Sequence, residues 1–132
     1  MQLSNSLRIV LKLDSASCLG MAAIVLPAAG ALQGALGVDS AILRGAAGAL
    51  LPIGLFILWL GTRREAAAAL VWLVIAGNLG WVAASLAAAQ GLPGITPLGQ
   101  AMIVLQGLAV LAITVAEWIG LRASLATDRA AA

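Results

Sequence analysis

Asp14 and Glu117 are the residues with most to offer chemically, because each is a carboxylate set inside a long apolar run. A charged side chain at the bilayer centre costs about 2.5 to 3.5 kcal/mol even on the lower scales, so it must find a counter-charge, a proton or a polar ligand. Two chemistries fit such residues: an ion pair that locks helix order, and a proton or cation site. Asp14 falls in an early helical turn, where the helix dipole favours a negative charge, whereas Glu117 falls in a late turn, where the dipole opposes it. Glu117 therefore needs a partner more, and Lys12, Arg63 or Arg64 on another helix is the expected one. Among neutral polar residues, Asn78 and Ser85 are spaced to share one helical face, as are Gln106 and Glu117, with Thr114 nearby. An amide in apolar surroundings seeks a partner on a neighbouring helix, for a gain of about 0.5 to 2 kcal/mol. Arg44 is placed to snorkel to headgroups beside Asp39 or to meet an anion.

Several chemistries are closed by absence. The sequence has no histidine and no tyrosine, and its one cysteine, Cys18, can form neither an internal disulfide nor a dithiol pair. Bis-histidine haem and histidine-based metal sites are thereby excluded, and no cofactor or metal is expected. The net charge of +2 comes from basic residues placed singly or in one pair at helix ends, which does not make a nucleic-acid-binding face. No nucleophile and base are spaced for catalysis, so an enzyme acting on lipid is only a third reading.

Four apolar stretches must position these residues. With 63% hydrophobic and 9% charged residues among 132, the chain lies far from soluble composition. Each stretch exceeds the roughly 18 to 20 residues that cross about 30 Å of hydrocarbon. The expected organisation is an interfacial segment over residues 1–12, where Leu3, Leu7, Val10 and Leu11 share a face. Transmembrane helices then follow at about 13–36, 40–61, 65–90 and 97–122, and a mobile tail at 123–132. Asp39 is the expected cap of the second helix, Gly61 its left-handed stop, and Thr62 with Glu65 a capping box for the third. Thr96-Pro97 reads as a cap with proline at the first helical position, and Pro93-Gly94 as a type II turn. Pro27 and Pro52 permit kinks. Gly30 and Gly34 form a GxxxG spacing for close helix approach, a role also assigned to Gly77 and Gly80. The run from Cys18 to Leu26 only loosely imitates a cleaved signal core, since Lys12 and Asp14 interrupt its approach.

Basic residues give a direction. With the N-terminus inside, Arg8, Lys12, Arg63, Arg64, Arg122 and Arg129 are cytoplasmic and only Arg44 is opposite. Arg63, Arg64 and Arg122 then act as cytoplasmic anchors. Trp59-Leu60-Gly61-Thr62-Arg63 and Trp118-Ile119-Gly120-Leu121-Arg122 repeat one pattern. Either a duplicated hairpin or the common grammar of helices that end in an aromatic belt accounts for it.

The set Lys12-Leu13-Asp14, Arg44-Gly45-Ala46-Ala47-Gly48, Gly77-Asn78-Leu79-Gly80-Trp81 and Glu117-Trp118-Ile119-Gly120 resembles small four-helix proteins of the bacterial inner membrane. That resemblance implies no activity. The expected fold is an all-α antiparallel four-helix membrane bundle with both termini cytoplasmic. The expected partners are the lipid bilayer and either further copies of the chain or a larger membrane-protein complex. The leading functional expectation is a non-catalytic accessory or assembly subunit. The alternative is an oligomeric transporter or channel with a polar path at Asp14, Asn78, Gln106 and Glu117.

Overall fold

The computed structural model describes the whole chain, Met1 to Ala132, as four helices joined by short links. They are α1 (Asn5–Leu36), α2 (Ser40–Thr62), α3 (Ala68–Gly91) and α4 (Pro97–Ala131). All four are long and apolar enough to cross a membrane, so the chain is a multi-pass membrane protein by length and composition. Large apolar side chains such as Ile24, Leu55, Leu73 and Leu105 stand exposed on their outer faces, as hydrocarbon solvent favours.

Local chemistry sets the helix starts. The Ser4 hydroxyl accepts from the Leu7 amide, Asp39 accepts from the Ala41 amide at 2.7 Å, and Thr96 accepts from the Gly99 amide at 3.0 Å. Each satisfies an amide that the helix itself leaves free. Gly37 at φ 68° ends α1, and Gly94 at φ 75° supplies the left-handed residue of the turn before α4.

Several elements depart from the sequence expectation. Residues 5–12 are not a separate interfacial segment but the first turns of α1, and residues 123–131 continue α4. The capping box at Thr62 and Glu65 does not form: the Thr62 hydroxyl donates to the Trp59 carbonyl, Glu65 lies outside α3, and α3 starts at Ala68 with no side-chain cap. Residues 63–67 are instead tied to the N-terminal residues, with the Leu3 amide on the Arg64 carbonyl at 2.8 Å and the Ala66 amide on the Met1 carbonyl at 3.1 Å. Gly61 is helical and buried; a Cβ there would meet Leu11 and Lys12, so it serves close packing of α2 on α1. Gly30, Gly34, Gly77 and Gly80 have open space at the Cβ position, so within one chain they pack against nothing. The close approaches occur at Gly99, where a Cβ would meet the Leu36 carbonyl, at Gly54, where it would stand 2.8 Å from Leu19, and at Gly120, where it would stand 3.0 Å from Leu7.

Packing is uneven along the bundle. α1 lies against α2 and α4, and α3 lies against α4. The apolar core gathers at the end that holds both termini, where Leu7, Leu11, Leu60, Val71 and Leu121 are fully buried. The other end is closed largely by hydrogen bonds. There Thr96 donates its amide to the Leu36 carbonyl and its hydroxyl to that of Ala35, while the Gln33 side chain accepts from the Ser40 amide. Between the two ends, clefts open on the flank of the bundle.

Candidate functional site

Three helices contribute one polar side chain each to a common point. Asp14 of α1 and Glu117 of α4 both accept from the Nδ2 of Asn78 of α3, at 2.9 and 3.1 Å respectively. The cluster is buried: Glu117 is 0% exposed, Asp14 1% and Asn78 7%. One amide nitrogen is thus shared by two carboxylates, and the second oxygen of Glu117 is buried without any hydrogen-bond partner. The other oxygen of Asp14 has only the Cys18 thiol, at 3.9 Å.

No cation from the chain reaches this pair. The single ion pair in the molecule joins the Met1 ammonium to Asp128 at 3.6 Å. The expected partners of Glu117 are engaged elsewhere or absent: Arg63 lies over the Trp59 ring at 4.7 Å, and neither Lys12 nor Arg64 pairs with a carboxylate. The guanidinium of Arg122 likewise lies over Trp118 at 5.1 Å. The repeated sequence pattern therefore corresponds to the same local device, an arginine folded back over a tryptophan four residues earlier. Arg44 is exposed and forms no ion pair with Asp39. In a low-dielectric setting two carboxylates so close cannot both carry charge without a compensating positive charge. Protons or a bound cation can supply that compensation.

A second polar group lies nearby. The Trp81 indole donates to the Gln106 side-chain oxygen at 3.0 Å, and the Gln106 amide donates to the Ser85 hydroxyl at 2.7 Å and to the Ile103 carbonyl at 2.9 Å. This neutral relay is satisfied at each step. Ser15, next to Asp14, donates to the Gly54 carbonyl at 2.8 Å and ties α1 to α2.

Both groups face a hollow. An inner cavity of about 460 Å³ is lined by Asp14, Cys18, Asn78, Trp81 and Gln106 among apolar side chains from all four helices. Glu117 is not on its wall and stands behind Asn78. An adjoining outer cavity of about 390 Å³ is almost wholly apolar and shares Met21, Leu50, Trp81 and Gln106 with the first. The cavity therefore runs from the carboxylates past the neutral relay towards the end closed by Leu36, Val38 and Leu92. No group of histidine, cysteine, aspartate and glutamate is arranged to hold a metal ion.

Of the polar residues singled out from sequence, the structure joins Asp14, Asn78 and Glu117 in one cluster, and Ser85 with Gln106 in another. It leaves Arg44 apart. Trp81 and Ser15 were missed as partners. Trp81 lies one helical turn beyond Asn78, and that spacing was the available signal. Comparison with protein-family models, with curated proteins and with solved structures finds no match.

Proposed function

We propose that this chain binds a positively charged solute inside the membrane at the Asp14–Asn78–Glu117 centre and, as an oligomer, passes it across. The observation that carries the proposal is the pair of buried carboxylates that share one amide, lack any basic partner and include an unpartnered oxygen. Structural polar groups in a bundle are satisfied by their neighbours, as the Trp81–Gln106–Ser85 relay is. A charge left over beside a cavity is what a binding site needs. The role is one of binding and passage, with no bond made or broken.

The proposed setting is the bacterial inner membrane, with antiparallel helices and both termini cytoplasmic. The asymmetry of basic residues supports that direction. The gathering of Met1, Arg64 and Asp128 at one end of the bundle supports both termini on one side.

An accessory or assembly subunit is the second reading, and one observation favours it. Gly30 with Gly34, and Gly77 with Gly80, leave open space where another helix could approach closely. A homo-oligomer satisfies this observation and the transport proposal together.

The direct test is flux. In proteoliposomes the wild type is expected to pass a radiolabelled or fluorescent cation, and a double variant Asp14→Asn, Glu117→Gln to lose that passage while it still reconstitutes. Equal flux from both proteins, or a purified chain that always carries a stoichiometric companion and moves nothing alone, would contradict it.

A further inference from the structure

The nature of the cation can be read from the walls around the carboxylates. We propose that the two adjoining cavities form one elongated site for a hydrophobic organic cation, its charge beside Asp14 and its apolar body in the outer cavity. The inference rests on the cation-binding reading above and adds the class of ligand.

Size argues first. A bound water takes about 30 Å³, so a bare inorganic ion would occupy only a small part of the inner cleft of about 460 Å³. Volumes of roughly 300 to 1,000 Å³ are those of sites for organic molecules. Ligand supply argues the same way. A hard inorganic cation requires about six or more oxygens around it, whereas the only side-chain oxygens of carboxylate or amide type on the inner wall are those of Asp14, Asn78 and Gln106. The rest of the wall is mainly apolar.

Polarity then sets the direction. Asp14 is at one end of the hollow, Gln106 and Trp81 line both cavities, and beyond them the wall is apolar through Val25, Leu43 and Ala84. No lysine or arginine lines either cavity, so nothing on the wall opposes a cation or attracts an anion. A neutral lipid chain would fill the outer cavity but bring no positive charge to Asp14, the one carboxylate on the wall. A cation that carries its own apolar body satisfies both parts at once. The Trp81 indole adds an aromatic surface at the junction, where such a cation would pass or rest.

Binding to the purified full-length chain in detergent, followed by calorimetry, tests this. The probe is tetraphenylphosphonium, compared with neutral triphenylphosphine oxide, anionic tetraphenylborate, tetramethylammonium and potassium. Tetraphenylphosphonium is expected to bind at least tenfold tighter than each of the others, and Asp14→Asn to weaken it at least tenfold. Ala84→Phe leaves the carboxylates untouched and fills the outer cavity. It is expected to weaken tetraphenylphosphonium severalfold with no effect on tetramethylammonium, and it keeps the test decisive if Asp14→Asn does not fold. Asp14-dependent binding of tetramethylammonium or potassium without preference for the phenyl-bearing cation would overturn this inference and leave the cation site standing. Absence of Asp14-dependent binding by any cation would overturn both, as would equal binding of the neutral compound.

Discussion

Two polar groups one helical turn apart on α3 line the same cavity and are built on opposite terms. Around Gln106, donors and acceptors match: an indole, an amide, a hydroxyl and a carbonyl close on one another at 2.7 to 3.0 Å, with no charge among them. Around Asn78, one amide nitrogen serves two carboxylates, and an oxygen of Glu117 has nothing. Each arrangement ties α3 to α4, so both can serve as glue. Only the second gathers two acids with no basic residue to balance them, and that imbalance separates a site from a fastening.

The largest effect is expected from Asn78→Ala. It removes both charge-assisted hydrogen bonds and leaves two facing carboxylates, at a cost of about 3 kcal/mol. A large drop in the melting temperature of the purified protein in detergent checks it. Restoring at least half of that loss by adding Glu117→Gln would show that the cost lies in the facing charges. An additive double variant would mean that Asn78 supports the fold by packing alone.

Gln106→Leu is expected to cost less, about 1 kcal/mol, because hydrogen bonds between membrane helices are individually modest. Cation affinity should change less than threefold in that variant, measured by the same calorimetry. A tenfold loss would merge the two groups into one site. The smallest change in stability of the relay is expected from Ser85→Ala, about 0.5 kcal/mol. The Gln106 amide keeps the Ile103 carbonyl at 2.9 Å when Ser85 is gone, and thermal melts of the two variants side by side would rank them.

Sequence reading reached the parts of this picture that depend on local chemistry. Four spans follow from hydropathy, and the caps at Asp39 and Thr96 follow from one side chain and the free amides just after it. The shared level of Asp14 and Glu117 follows from distance to the charged ends. The level of Asn78 does not follow from sequence, because it depends on where α3 starts. α3 starts at Ala68, while α1 and α4 run well beyond their expected spans, which brings all three residues to one level. The missing information is which helix faces which. Periodicity gives the face of a helix but not its neighbour, so charge alone points Glu117 to Lys12, Arg63 or Arg64, and the structure gives it Asn78 instead. An arginine four residues after a tryptophan has a partner at hand on its own helix, and both Arg63 and Arg122 take it. The glycines teach a related lesson. Gly30 and Gly34 have the spacing for close approach and no helix beside them, whereas Gly54, Gly99 and Gly120, in no such pattern, hold close contacts between helices.

The most direct measurement is a pair of melting curves on Glu117→Gln, with and without tetraphenylphosphonium. The variant keeps the shape of the side chain, can still accept from Asn78, and gains a donor for Asp14. Its melting temperature without ligand is expected to equal or exceed that of the wild type, while the stabilisation that ligand binding gives the wild type disappears. A clear fall in melting temperature with the ligand response intact would mean that Glu117 is a fastening after all, and would contradict the reading of the carboxylate cluster as a binding site.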